Sequence, residues 1–130
     1  MIGYTTVGTN DLPRAKAFYD ELFAVIGAKR LMEFDRGLAW GVAMDKPGFG
    51  VMTPFDGQAA SVGNGQMVAL VVDERAKVDA LHAKALALGG CCEGPPGERG
   101  PGFYAAYFRD LDGNKVAVFC NDPAEGSRGR

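Results

Sequence analysis

The sequence predicts an α+β fold built from two tandem βαβββ units. Three observations carry this. An offset of 63 residues lays the second half on the first without a gap: Tyr4 falls on Met67, Asp11 on Glu74, Phe18 on Leu81 and Gly27 on Gly90. Self-similarity at half the chain length marks a duplicated unit rather than a solenoid. Each half also opens with a strand-like run followed by apolar residues at helical spacing, then continues in short β-rich segments separated by turn residues.

The first unit begins with Tyr4–Thr9, rich in β-branched side chains that favour a strand. Asn10 or Asp11 then caps a helix by accepting an orphan backbone N–H. Pro13 fits the first turn, where its missing N–H costs little. Ala15, Phe18, Leu22 and Val25 share one helical face, and Gly27 suits the left-handed residue that ends the helix. Lys29–Phe34, Leu38–Met44 and Phe49–Thr53 are the expected strands, with turns at residues 35–37 and 45–48.

The second unit repeats this order. Met67–Val72 is an apolar strand, and Asp73 or Glu74 opens a helix with Val78, Leu81, Ala85 and Leu88 on one face. Gly89 and Gly90 end it. Cys91–Glu93 is a short strand, and Phe103–Arg109 and Lys115–Cys120 form a hairpin around Asp110-Leu111-Asp112-Gly113-Asn114. Residues 94–102 contain four Gly and three Pro and read as a loop without regular structure. The units are expected at about residues 2–57 and 66–120 of a single domain spanning 1–121, with 122–130 a disordered tail.

Composition narrows the function. Hydrophobic residues are 47% and charged residues 23%, the balance of a globular protein. With 14 basic and 16 acidic side chains, a net charge of -2 and no long basic run, a nucleic-acid partner is not expected. No apolar stretch approaches the ~20 residues that cross a bilayer, so no membrane partner is expected. The N-terminus lacks the basic and apolar regions of a signal peptide, which predicts a cytoplasmic protein. The three cysteines, Cys91, Cys92 and Cys120, are then expected to be free thiols. A single histidine, His82, excludes a His-rich metal site within one chain.

The segments TNDLPRAKAFYDELFAVIGAKRL, VDALHAKALALGG and YAAYFRDLDGNKVAVFC, set in two βαβββ units, resemble the vicinal oxygen chelate superfamily. This is the group of glyoxalase I, bleomycin-resistance proteins and extradiol dioxygenases. The resemblance covers roughly residues 2–121. It implies a cupped, mostly antiparallel sheet with the helices on its outer face. It also implies a homodimer. In chelating members the cup holds a divalent metal through ligands on the first and last strand of each unit. The matching positions here are Tyr4, Met67 and Ala117, and the last strand of the first unit, Phe49–Thr53, has no His, Asp or Glu in any register. A divalent ion needs imidazole, carboxylate or thiolate ligands. The expected site is therefore metal-free, and no cofactor is implied.

Strand alternation says what fills the cup instead. Tyr4, Thr6 and Gly8, Met67, Ala69 and Val71, and Lys115, Ala117 and Phe119 point inward. This gives a largely apolar pocket with a few polar handles. Trp40 faces either the cup or a partner subunit. Tyr104 and Tyr107 lie on opposite faces of one strand, so at most one lines the pocket, and Tyr104 is carried as the candidate. The ligand-binding set is thus Tyr4, Thr6, Met67, Ala69, Ala117, Phe119, Trp40 and Tyr104. His82 lies on the second helix, away from the cup, and is read in a structural or surface role rather than as a base. Arg99, in the Gly/Pro loop, is expected in solvent rather than bound to an anion. The Asp110–Asn114 turn starts like a calcium loop, but its twelfth position is Asn121 rather than Glu, so it is read as a hairpin turn. The expected function is binding of a small, partly apolar molecule, as in bleomycin-resistance proteins. The alternative is a glyoxalase I-like metal-dependent lyase or isomerase, or a dioxygenase-related enzyme.

Overall fold

A computed structural model describes residues 1–121. The elements run β1 (Tyr4–Gly8), α1 (Leu12–Ala24), β2 (Lys29–Phe34), β3 (Gly37–Gly41), β4 (Gly48–Met52), β5 (Val68–Val71), α2 (Arg75–Ala87), β6 (Cys91–Gly100), β7 (Phe103–Arg109) and β8 (Lys115–Asn121). This is βαβββ twice over, an α+β fold with two four-stranded sheets, ordered β1-β4-β3-β2 and β5-β8-β7-β6. In each sheet the first and last strand of the unit pair in parallel and the other two pairs are antiparallel. The described residues divide into two compact units, Met1–Gln66 with Leu111–Asn114, and Met67–Asp110 with residues 115–121. The tail expected at 122–130 lies outside the described residues.

In the first unit, Asp11 caps α1 by accepting from the Arg14 N–H at 3.2 Å, and Pro13 sits in the first turn. The helix ends at Ala24, and Gly27 takes the left-handed conformation (φ 75°) that a side chain would resist. Ala15, Phe18, Tyr19, Leu22 and Phe23 are the buried face. They pack on alternate residues of the sheet, Leu38 and Trp40 of β3 and Phe49 and Val51 of β4. Tyr19 lies 5.0 Å from Phe49 and 5.6 Å from Trp40, ring centre to ring centre. Aromatic pairs at such spacings contribute about 0.5–1.5 kcal/mol each beyond area burial.

In the second unit, Val78, Leu81, His82 and Ala85 of α2 are buried, as are Ala106 and Phe108 of β7 and Val116, Val118 and Cys120 of β8. Asp73 pairs with Lys77 at 2.8 Å, while Glu74, at the N-cap position, makes no side-chain cap bond.

One expectation is overturned. Residues 94–100 are not a loop but most of strand β6, paired antiparallel with β7. The ladder shifts register between Cys92 and Gly94, Gly94 and Gly97, and Glu98 and Gly100. Pro95 and Pro96 fall in the second shift, where no ladder N–H is required, and β6 is an edge strand. Edges and bulges are where a sheet tolerates proline. The strand expected at Leu38–Met44 is also shorter, ending at Gly41.

Candidate functional site

Each sheet has one face covered by its helix and one free of it. In the first unit the parallel β1–β4 register pairs Tyr4 with Gly48 and Thr6 with Gly50. Phe49 and Val51 face α1, so Tyr4, Thr6, Gly48, Gly50 and Met52 occupy the helix-free face. Tyr4 is 72% exposed there, and Met32 and Phe34 of β2 are exposed on the same side. The glycines keep this face low. A Cβ at Gly50 would meet the Thr6 methyl at 3.2 Å, and one at Gly48 the Tyr4 Cβ at 3.6 Å.

In the second unit Ala69 pairs with Ala117, Val71 with Phe119 and Tyr107 with Ala117. Val116 and Val118 go beneath the helix, so Ala69, Val71, Ala105, Tyr107, Lys115, Ala117 and Phe119 share the helix-free face. Met67, just ahead of β5, has the same parity. Ala117 is only 2% exposed and forms a floor, whereas Ala69 beside it is exposed. Phe119 packs on Phe103 at 5.3 Å between ring centres. Lys115 Nζ lies 5.6 Å and Arg99 Cζ 5.4 Å from the centre of the Tyr107 ring.

Two expected lining residues lie elsewhere. Trp40 is 1% exposed on the helix side of β3, and its Nε1–H donates to Asp20 Oδ1 at 2.9 Å. Asp20 also accepts two bonds from Arg30, at 2.9 and 2.7 Å. The Arg30 guanidinium, helped by the indole N–H, holds the Asp20 carboxyl below the usual range against the opposing effect of burial. Trp40 is therefore committed to the core. Tyr104 likewise faces α2, donating its hydroxyl to Asp79 at 2.6 Å with Arg75 over its ring at 4.8 Å. The accepting Asp79 carboxylate raises the Tyr104 pKa. Strand parity thus puts Tyr107, not Tyr104, on the helix-free face.

His82 is 5% exposed, on the helix side of the second sheet. Burial pushes its pKa down, opposed by a hydrogen bond to the Tyr107 backbone and by the Asp79 charge. Among the described residues its Nε2 is buried without a hydrogen-bond partner.

The Asp110–Asn114 turn has a structural task. Gly113 takes φ 88°. Asp112 accepts from the Thr9 hydroxyl at 2.6 Å and from the Asn10 N–H at 3.0 Å, just ahead of α1. Thr9 Oγ1 in turn accepts from the Asp11 N–H at 3.0 Å, and Asn114 Nδ2 donates to the Gly8 carbonyl at 2.8 Å.

A family model described as Glyoxalase/Bleomycin resistance protein/Dioxygenase superfamily matches residues 1–118. The chain belongs to that superfamily. Among solved structures it is similar to a glyoxalase/bleomycin resistance protein from Albidiferax ferrireducens T118, at 36% identity and TM-score 0.85, covering 92% of this chain and 98% of that one. It shares its fold with a lactoylglutathione lyase from Agrobacterium tumefaciens, at 22% identity and TM-score 0.67, with 92% of each chain covered. A superfamily protein from Burkholderia phytofirmans PsJN gives 18% identity and TM-score 0.70 over 92% of this chain and 97% of that one. A comparison with curated proteins finds no match.

The superfamily implies a divalent metal in its chelating members, and the residues at those positions do not fit one. On β1 the position is Tyr4, on β4 the helix-free residues are Gly48, Gly50 and Met52, ahead of β5 it is Met67, and on β8 it is Ala117. None is an imidazole, carboxylate or thiolate. Among the described residues, no group of three or more His, Cys, Asp or Glu side chains is placed to hold a metal ion. Among the same residues, no helix is long and apolar enough to cross a membrane.

Of the residues on the helix-free face of the second sheet, Val71 and Lys115 were read as facing the cup but not carried into the ligand-binding set, and Ala105, Tyr107 and Arg99 were left out of it. Tyr107 and Lys115 have the parity of Ala117, which was the available signal. Arg99 had none, because β6 was not recognised as a strand.

Proposed function

We propose that this protein binds a small, partly apolar molecule on the helix-free sheet faces, without a chelated metal, in the manner of bleomycin-resistance-type binders. The observation that carries the reading is the replacement of ligand-type side chains by Tyr4 on the first sheet, and on the second by Met67 and Ala117, among apolar neighbours such as Ala69, Val71 and Phe119. Such a surface offers burial to an apolar body and a few polar handles for orientation. On the first sheet, Thr6 and the Tyr4 phenol supply such handles. The same reading takes the protein as cytoplasmic and homodimeric, and sedimentation at micromolar concentration checks the second point.

The test is a thermal-shift screen of small molecules on the wild type and on Ala69→Phe. Ala69 is the better position to block, because Ala117 is buried and a ring there overpacks the sheet at about 1–3 kcal/mol. A hit that stabilises the wild type is expected to lose its effect on Ala69→Phe. A full response from the variant places the site elsewhere.

A further inference from the structure

The helix-free face of the second sheet carries one feature that apolar binding leaves unused. Two cations flank Tyr107, Arg99 from the β6 side and Lys115 from the β8 side, at 5.4 and 5.6 Å from the ring centre. Among the described residues neither is paired with a carboxylate, although the neighbouring Arg109 bonds Glu93 at 2.9 Å and Arg75 bonds Glu98 at 2.9 Å. Two basic groups on one ring repel each other, and among the described residues neither forms an ion pair, the nearby Glu93 being bonded to Arg109.

Arg99 is also held in place. Its Nη2 donates to the Pro95 carbonyl at 2.6 Å. The guanidinium lies over the backbone at two glycines. A Cβ at Gly97 would meet Nη1 at 2.8 Å, and one at Gly94 would meet Nη2 at 3.2 Å and the Tyr107 ring at 2.9 Å. The glycines and the register shifts of β6 thus leave room for the guanidinium against the strand. A guanidinium fixed by the fold loses less entropy on meeting a ligand than a free surface arginine does. One of its five N–H donors is committed to Pro95, which leaves others for a ligand.

We propose that Arg99 and Lys115 form an anion subsite, and that the ligand of this face is a small organic anion. Its apolar body lies toward Ala69, Val71 and Phe119, and its charged group lies beside the Tyr107 ring. Carboxylate, sulfonate and phosphate share the required chemistry. This inference rests on the binding role proposed above and adds the charge of the ligand to it.

A matched pair of fluorescent probes separates the two claims. 8-Anilinonaphthalene-1-sulfonate carries a sulfonate on an apolar body, and N-phenyl-1-naphthylamine has the same body without the charge. Both are titrated into the wild type, Ala69→Phe, Arg99→Gln, Lys115→Gln and the double variant Arg99→Gln/Lys115→Gln, with melting curves to confirm folding. The wild type is expected to bind one sulfonate probe per chain, more tightly than the neutral one. Each glutamine variant should weaken the sulfonate probe roughly three- to ten-fold, and the double variant should bring the two affinities together. The neutral probe should be unaffected by either glutamine. Added salt should narrow the preference in the wild type. Equal affinities in the wild type, or a preference that survives the double variant, overturn the anion subsite while leaving apolar binding standing. Insensitivity of both probes to Ala69→Phe overturns the binding face itself.

Discussion

Replacing Asp112 by alanine removes the acceptor on which the entry to α1 rests. The Thr9 side chain is fully buried, so its hydroxyl cannot turn to water when the 2.6 Å bond to Asp112 is lost. A buried donor left unsatisfied costs about 1–3 kcal/mol. The Asn10 N–H, bonded to the same carboxylate at 3.0 Å, is exposed and finds water, so its loss adds about 0.5 kcal/mol or less. Arg14 lies 3.5 Å from Asp112 with its side chain 47% exposed, and such a pair contributes close to nothing. The Asp112 side chain is only 6% exposed, so its removal also relieves some desolvation. The net expectation is about 2 kcal/mol, or a fall in Tm of roughly 6–12 °C for a domain of this size. Urea and thermal unfolding of Asp112→Ala measure it. A double-mutant cycle with Thr9→Val isolates the bond, with a coupling of about 1–2 kcal/mol expected. A loss below about 0.5 kcal/mol, or strictly additive single variants, refutes the reasoning.

Other perturbations follow from the same geometry. His82 is the chain's one histidine, and its folded pKa lies below the ordinary 6.5. The unfolded chain therefore binds the proton first as pH falls, so stability is full above about pH 6.5 and declines below it toward the folded pKa. Urea unfolding between pH 8 and pH 5 should show that decline in the wild type and a flat profile in His82→Gln; parallel profiles contradict the burial argument. Gly37→Ala would drive a Cβ into the Val51 carbonyl and Met52, so it should cost several times the ~1 kcal/mol of an ordinary strand substitution by chemical denaturation. Asp20→Ala removes the acceptor of Trp40 Nε1 and the partner of Arg30; a loss of about 1–3 kcal/mol and altered Trp40 fluorescence are expected, and an unchanged spectrum counts against the indole bond.

Much of the fold was legible because duplication prints the same pattern twice. The helix with Phe18 on its inner face and the helix with Leu81 at the matching place read correctly, as did the hairpin from Phe103–Arg109 to Lys115. The β6 strand was not legible, because Gly94, Pro95, Pro96 and Gly97 have the composition of a loop. Only the edge position and the skipped ladder positions let them run as a strand, and neither is local information. The same limit hid Arg99. Parity alone placed Tyr4, Thr6, Ala69, Ala117 and Phe119 on the face away from the helix, since alternation is a local property of strands. It failed for Trp40 because the strand's register was open, and the bond to Asp20 that fixes it comes from a different element. For Tyr104 and Tyr107 parity said that the two oppose each other but not which faces the helix. The role of Asp112 was invisible for another reason: Thr9 stands 103 positions away in the chain.

The central claim is that this superfamily member binds its small molecule without a chelated metal. The direct measurement is a calorimetric titration of one thermal-shift hit into two samples of the untagged protein. One sample is dialysed against EDTA and the other is supplemented with zinc, nickel or manganese. The account predicts the same affinity and one-to-one stoichiometry in both, and no turnover of the ligand in either. Binding or turnover that appears only in the metal-supplemented sample would contradict it, and would restore a glyoxalase I-like metal-dependent lyase or isomerase.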